Sequence, residues 1–185
     1  EISYDEAQKI SPQLEVGDIV EIEVTPKNFG RIAAQTAKQV VTQRVREAER
    51  GIIYSAFIDR ENDIMTGIIQ RQDHRFIYVD LGKIEALLPS SEQMPNESYH
   101  QHDRIKVYIT SVEKTTKGPQ VIVSRTHPGL LKRLFELEVP EIYDGTVEIK
   151  SISREAGDRS KIAVYADDPD IDPVGSCVGH KGSRV

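Results

Sequence analysis

The chain has 185 residues, of which 38% are hydrophobic and 29% charged, and its formal net charge is −6. This composition is typical of soluble globular domains, and no apolar run approaches the roughly 20 residues that cross a bilayer, so no membrane partner is expected. A single cysteine excludes an intramolecular disulfide and predicts a cytoplasmic protein. The negative net charge argues against holding nucleic acid by bulk charge, so we expect any such site to be a local patch.

The first 60 residues are predicted to contain one strand and one long helix. Residues 18–24 alternate partly and are rich in β-branched side chains, which predicts a strand, and residues 27–30 are predicted to form a turn. From Arg31 apolar residues recur at helical spacing, and the pattern continues past Gly51 to Phe57, although a glycine costs about 1 kcal/mol in a helix interior. Because a strand and a helix do not complete a domain, and the chain lacks an initiator methionine, we expect a fragment of a longer protein.

Residues 61–127 are predicted to form a small β-barrel. A long polar loop, Ser90 to Asp103, separates the third predicted strand from the fourth. Five short strands with a long connection at this point are the plan of an OB-type barrel. The predicted strands are residues 64–70, 76–81, 84–88, 104–112 and 120–125.

The second of these strands leaves two aromatic side chains on its outer face. Side chains alternate across a strand, so Ile77, Val79 and Leu81 are predicted to face the core, while Phe76 and Tyr78 face outward. Exposed rings on a barrel suit base stacking, which contributes about 1–3 kcal/mol per base in proteins that bind single-stranded nucleic acid.

Three further residues complete the predicted binding face of the barrel. Lys83 lies in the turn after the second strand, and Lys106 and Tyr108 are predicted to face outward from the fourth. Cations beside aromatic rings combine phosphate neutralisation with stacking. The alternative is that the rings pack under a neighbouring domain and that the barrel is a spacer for protein docking without direct RNA contact.

Four short motifs in this region resemble the S1 RNA-binding domain. Tyr78 stands where S1 domains usually carry an exposed phenylalanine, and Pro89 stands where many carry a histidine at the RNA face. The motifs are Thr66-Gly67-Ile68-Ile69, Tyr78-Val79-Asp80-Leu81-Gly82, Glu85-Ala86-Leu87-Leu88-Pro89 and Val123-Ser124-Arg125.

Residues 128–185 are predicted to contain a helix and two strands. The helix covers residues 130–137, with Leu130, Leu134 and Leu137 on one face, and Pro140 ends it. The strands are predicted at residues 145–153 and 161–165. The acidic run at residues 167–170 lacks the glycine and the glutamate of a calcium loop and is interpreted as a solvated turn. Partial disorder is expected from about Asp167.

Gly179-His180-Lys181-Gly182 resembles the GXXG loop of KH domains, and Gly175 precedes it at the spacing of that family. Two glycines let the backbone approach a sugar–phosphate chain because no Cβ intervenes. Lys181, with His180 and Arg184, supplies positive charge, and the loop is expected to open a helix whose N-terminal amides favour phosphate. A KH module clamps about four nucleotides on this loop. Cys177 is expected to pack and to do no chemistry.

An S1 module followed by a KH module is the reverse of the order in polynucleotide phosphorylase, and the whole chain resembles the NusA family of bacterial transcription elongation and termination factors. The resemblance implies three parts: the end of a polymerase-binding domain (residues 1–60), an S1 barrel (61–127) and an incomplete first KH domain (128–185). It implies that the partners are single-stranded RNA and RNA polymerase, the latter mainly through a missing N-terminal part, and that the role lies in pausing, intrinsic termination and antitermination.

No enzymatic activity is expected. The pair His100 and His102 has no evident further metal ligand and is interpreted as part of a surface loop, and no motif pairs Ser124 or Cys177 with a histidine. We therefore predict no catalytic residues, no metal, no cofactor and no small-molecule substrate.

Overall fold

The computed structural model describes residues 2–13, 15–19 and 29–185, except for the side chain of Phe29. These residues form two compact units, Glu1–Arg44 and Val45–Val185. The strand predicted over residues 18–24 lies mostly outside the described residues, and Asp18 and Ile19, which are described, are not in a strand. No helix in the described part of the chain combines the length and apolar content that a membrane span requires.

Two helices precede the barrel. α1, Tyr4–Ile10, was not predicted, and it begins with a capping box in which Ser3 and Glu6 pair reciprocally. α2, Phe29–Ile58, is 30 residues long and confirms the predicted continuation through Gly51. The predicted turn at residues 27–30 is wrong at its last two positions, which are already helical.

Five strands form a closed barrel, as predicted. Their order around it is β1-β2-β3-β5-β4, with β3 and β5 parallel and the other pairs antiparallel. The strands are β1 Ile64–Gln72, β2 Phe76–Asp80, β3 Glu85–Pro89, β4 Arg104–Thr115 and β5 Gly118–Ser124.

The barrel core is aliphatic and includes one ring from α2. Ile77 and Val79 are fully buried and Leu81 is buried, which confirms the predicted inner face of β2. Phe57, near the end of α2, is 3% exposed and belongs to the same core. Glu61 joins the helix end to the barrel, because its carboxylate accepts a hydrogen bond from the backbone N–H of Val112 at 2.7 Å.

After the barrel come three helices and a two-stranded antiparallel sheet. A second buried cluster of Val139, Ile142, Val147 and Cys177 holds them together, so the packing role predicted for Cys177 is confirmed. The partial disorder expected from about Asp167 is not what the structure shows, since a helix with a buried cysteine lies in this segment. The elements are α3 Pro128–Glu138, α4 Pro140–Tyr143, β6 Glu148–Arg154, β7 Ser160–Tyr165 and α5 Pro173–Val178.

One detail of the helix prediction needs correction, and the predicted end of the helix before Pro140 is confirmed. Leu137 is 61% exposed, so it does not share a buried face with Leu130, which is 1% exposed. Pro140 both follows α3 and opens α4, because proline is well suited to the first turn of a helix. The exact domain limits at residues 60 and 127 stay a prediction.

Replacing Phe57 with alanine is expected to lower the free energy of unfolding by about 3–5 kcal/mol, because it leaves a cavity in the barrel core. Ile52→Ala is the matched control: its side chain is 67% exposed, and the change is expected to stay within about 0.5 kcal/mol. Chemical denaturation of the whole chain measures both. Equal stabilities of the two variants would show that α2 contributes nothing to the core.

Candidate nucleic-acid interface

Tyr78 lies on the outer face of β2, between residues of two neighbouring strands. The register places it opposite Arg71 on β1 and opposite Leu87 on β3, and Leu87 in turn is paired with Ile122 on β5. Directly paired residues project from the same face of a sheet. Arg71, Tyr78, Leu87 and Ile122 therefore form one line across four strands, which we call the outer row. Tyr78, Leu87 and Ile122 are each partly exposed.

The ring of Tyr78 is held from two sides. The guanidinium carbon of Arg71 lies 3.5 Å from the ring centroid, within the range of a cation–π contact. The ring of Phe76 approaches edge-on, with 6.5 Å between centroids and 65° between ring planes. Both predicted aromatic residues thus project outward together, as the alternation on β2 predicted, and both remain partly exposed.

Asp73, in the turn between β1 and β2, fixes the hydroxyl end of Tyr78. Its carboxylate accepts hydrogen bonds from the backbone N–H groups of Arg75 and Phe76, both at 2.8 Å, and from the Tyr78 hydroxyl at 2.9 Å. The backbone donors, first that of Arg75, lower the pKa of Asp73, and the same hydroxyl contact raises the pKa of Tyr78. The turn therefore orients the ring as well as connecting two strands.

Arg71 is the site residue that the sequence interpretation missed. The predicted strand ends at Gln70, one residue before Arg71, whereas β1 continues to Gln72. A register shift between Ile69 and Arg71 then brings Arg71 opposite Tyr78. Its guanidinium also lies 3.5 Å from the carboxylate of Glu85 on β3. The signal available in the sequence was the position of this arginine, directly after one predicted strand and shortly before the strand that carries the two aromatic residues.

Tyr108 was predicted to be exposed, and this is wrong. It is 5% exposed because the start of α3 covers the outer face of β4. Its ring stacks on His127 with 4.5 Å between centroids and 8° between planes, and its hydroxyl donates to the side chain of Asn62 at 3.0 Å. A Cβ at Gly129 would lie 2.4 Å from the ring, so only glycine permits this approach. The ring is therefore structural and is not available to a base.

The two predicted lysines of the barrel remain exposed, but they do not surround Tyr78. Lys106 is paired with Thr66, five residues along β1 from Arg71, which is roughly 16 Å at the usual rise of a strand. Lys83 lies in the turn beyond the end of β2. The expected cluster of Lys106 and Tyr108 with the β2 aromatics is thus not formed.

The GXXG loop follows α5 directly. The side chain of Asp172 caps that helix by accepting from the N–H of Val174, and Gly179 ends it with a φ of +69°. Residues His180–Gly182 form a single 3₁₀ turn in which Lys181 and Gly182 also have positive φ. His180 and Lys181 are exposed. The helix expected to open at the loop is not present among the described residues, where Ser183 and Arg184 follow the loop as a turn.

Arg184 closes the loop back onto the helices. One guanidinium nitrogen donates to the carbonyl of Ser176 at 2.7 Å and lies 3.1 Å from the carboxylate of Glu141 on α4. The same side chain lies so near Gly179 that a Cβ there would come within 2.8 Å of it. The positive charge of Arg184, which was predicted to contact RNA, is therefore already paired with Glu141 within the protein.

Sequence models of three domain families match consecutive parts of the chain. They are the NusA N-terminal domain over residues 1–51, the S1 RNA binding domain over residues 58–124 and the NusA-like first KH domain over residues 125–185. The chain belongs to the NusA family. The S1 match covers the closed barrel with its outer row, and the KH match covers the GXXG loop.

Curated members of the NusA family match along the entire chain. The transcription termination/antitermination protein NusA of Bacillus subtilis is 82% identical over 185 residues, and that of Halalkalibacterium halodurans is 81% identical. The protein of the same name from Thermus thermophilus is 48% identical. The match covers 48–50% of these relatives, so the chain spans about half of their length.

The Asp73 carboxyl is expected to titrate below its ordinary pKa of 3.8, and the Tyr78 phenol above its ordinary pKa of 10.0. Since the pKa of Asp73 is lowered on folding, its contribution to stability is present above the unfolded value and is lost as pH falls through the folded value. In Asp73→Asn the pKa of Tyr78 should move back toward 10.0. Tyr99, whose pKa is raised chiefly by burial, serves as the internal control and should not move.

NMR titration of the carboxyl and tyrosine ring carbons measures these values. An unchanged Tyr78 titration in Asp73→Asn would contradict the hydrogen bond that orients the ring.

Proposed function

We propose that this chain binds single-stranded RNA through the outer row of the barrel and through the GXXG loop. The observation that carries the proposal is the pair of partly exposed rings, Phe76 and Tyr78, fixed on a rigid strand by Asp73 and Arg71. Base stacking needs rings that are both oriented and accessible. The loop adds exposed Lys181 beside Gly182, where the backbone is open.

The wider role follows from the relatives. Proteins of this family that match the whole chain are termination/antitermination proteins. As part of such a protein, the chain acts in the cytoplasm on the elongating RNA polymerase, where contacts with the emerging transcript modulate pausing, intrinsic termination and antitermination. Polymerase binding belongs mainly to the N-terminal domain, of which residues 1–51 match the family. The role is one of binding, without catalysis.

The alternative, a spacer whose aromatic face docks protein, makes the opposite prediction for one residue. If Phe76 and Tyr78 only support domain packing, substituting Tyr78 would leave RNA affinity unchanged. No contact within the described residues buries these rings under another domain, and nothing in the comparisons favours this alternative.

Tyr78→Ala is expected to weaken binding of a short single-stranded RNA by about 1–3 kcal/mol, a loss of roughly 5- to 150-fold in affinity. Tyr78→Phe should retain most of the affinity because the ring remains. The control Tyr143→Ala removes a tyrosine that is 81% exposed on α4, away from the outer row, and should bind like wild type. Fluorescence anisotropy titration measures all four proteins. Wild-type affinity in Tyr78→Ala would refute stacking at the barrel and support the docking alternative.

Lys181→Gln and Arg184→Gln are expected to weaken RNA binding in different ways. Loss of a phosphate contact lowers the dependence of log K on log salt by about 0.7 for a single strand, so Lys181→Gln should show a shallower slope. Arg184→Gln should lower affinity with the slope unchanged, because Glu141 already neutralises that charge and the loss is one of loop geometry. Lys150→Gln, which removes a lysine paired with Glu148, controls for net charge.

Titrations at four salt concentrations give the slopes. A slope reduced equally by Lys181→Gln and Arg184→Gln would assign Arg184 a direct phosphate contact.

A further inference from the structure

A concave surface lies between the C-terminal part of α2 and the β4–β5 hairpin. This groove has a volume of about 340 Å³, which is within the range of small-ligand sites. We call it the hairpin groove. Its lining includes Arg50 and Tyr54 from the helix, and Lys114, Thr115, Thr116 and Pro119 from the hairpin.

Its two cations are held in place by contacts that leave their charges free. The ammonium of Lys114 lies 4.3 Å from the ring centroid of Tyr54, which is partly buried. The side chain of Arg50 lies against Gly118, where a Cβ would come within 3.4–3.6 Å of three of its atoms. Gly118 has a φ of +133°, so the turn itself requires glycine there. Because Gly118 has no side chain, the side chain of Arg50 can lie directly against the backbone of the hairpin.

The hairpin groove brings two cations together, in contrast to arginines that are each paired with a carboxylate. Such pairs are Arg71 with Glu85, Arg125 with Glu97 and Arg133 with Glu136. Across residues 2–13, 15–19 and 29–185, neither Arg50 nor Lys114 has a carboxylate partner. The carboxylate of Glu47 also lines the groove, and Glu47 is not without a partner of its own. In a chain of net charge −6, two convergent unpaired cations are an anion-binding feature.

The groove also continues the outer row. Ile122, the last member of that row, and Gly118, at the edge of the groove, lie four residues apart on β5. This separation is about 13 Å at the usual rise of a strand. A flexible phosphodiester chain that crosses the row can therefore follow β5 to the two cations. This continuity favours a nucleic acid over an acidic peptide as the occupant.

We propose that the hairpin groove is a phosphate-binding site of the barrel, which holds the same RNA strand that stacks on the outer row. Arg50 and Lys114 each neutralise one phosphate, and the Thr116 hydroxyl and Tyr54 ring offer contacts to the sugar or base. The inference rests on the proposed RNA-binding function and extends its footprint along β5.

The test is an RNA titration of the double variant Arg50→Gln/Lys114→Gln in the whole chain, with an unstructured RNA of about 16 nucleotides at four salt concentrations. We expect the slope of log K against log salt to fall by about 1.4, since two phosphate contacts are lost at about 0.7 each. The control Lys132→Gln/Lys150→Gln makes the same change in net charge on surfaces outside the groove, and its slope should match wild type. Thermal unfolding checks that both variants are folded.

NMR provides the second readout. The backbone amides of Thr116 and Gly118 should shift when the same RNA is added to the wild type. An unchanged slope in the double variant, or unchanged amides, would overturn the proposal while leaving stacking at Tyr78 in place. If wild type itself does not bind RNA, the proposed function fails first. Normal RNA binding by the double variant together with weaker binding to RNA polymerase would overturn the proposal and assign the groove to a protein.

Discussion

Closure of the barrel is the constraint on which the other features depend. The interior of a closed barrel is filled by side chains. Because side chains alternate along a strand, every second residue of each strand points into this core. On β2 this commits Ile77 and Val79, which are fully buried. The rings of Phe76 and Tyr78 alternate with these residues and therefore point outward, even where an outward ring does not stabilise the fold. Rings in this position add little to the core and are free to serve binding.

The periodic features of the fold could be predicted from the sequence, whereas contacts between strands could not. The alternation on β2 fixes which side each residue takes, and this holds for Phe76 and Tyr78. Arg71 depends on the register between β1 and β2, which changes at an irregularity after Ile69 that no local pattern reveals. Lys106 has the correct orientation but lies far along the barrel from Tyr78, because position across strands is set by pairing and not by the period.

Tyr108 shows a second reason why sequence interpretation stops short. Its alternation on β4 predicts an outward ring, and the ring does leave the barrel core. A later segment, the start of α3, then covers it: His127 stacks on the ring and Gly129 lets the backbone come close. Whether an outward side chain is exposed depends on what packs over the barrel. That information lies in the tertiary arrangement of residues about 20 positions away.

Charge pairing decides which cations are available to RNA. The chain has 24 basic and 30 acidic residues, and some of the basic side chains, such as Arg125 with Glu97, are paired with a carboxylate inside the fold. A paired guanidinium releases few counterions when a phosphate approaches, because its field is already compensated. Arg184, bound to Glu141, therefore belongs to the architecture of the GXXG loop, whereas Lys181 projects from it without an ion pair among the described residues. An acidic protein can bind a polyanion in this way, since a few unpaired cations beside oriented rings provide the local field that its total charge lacks.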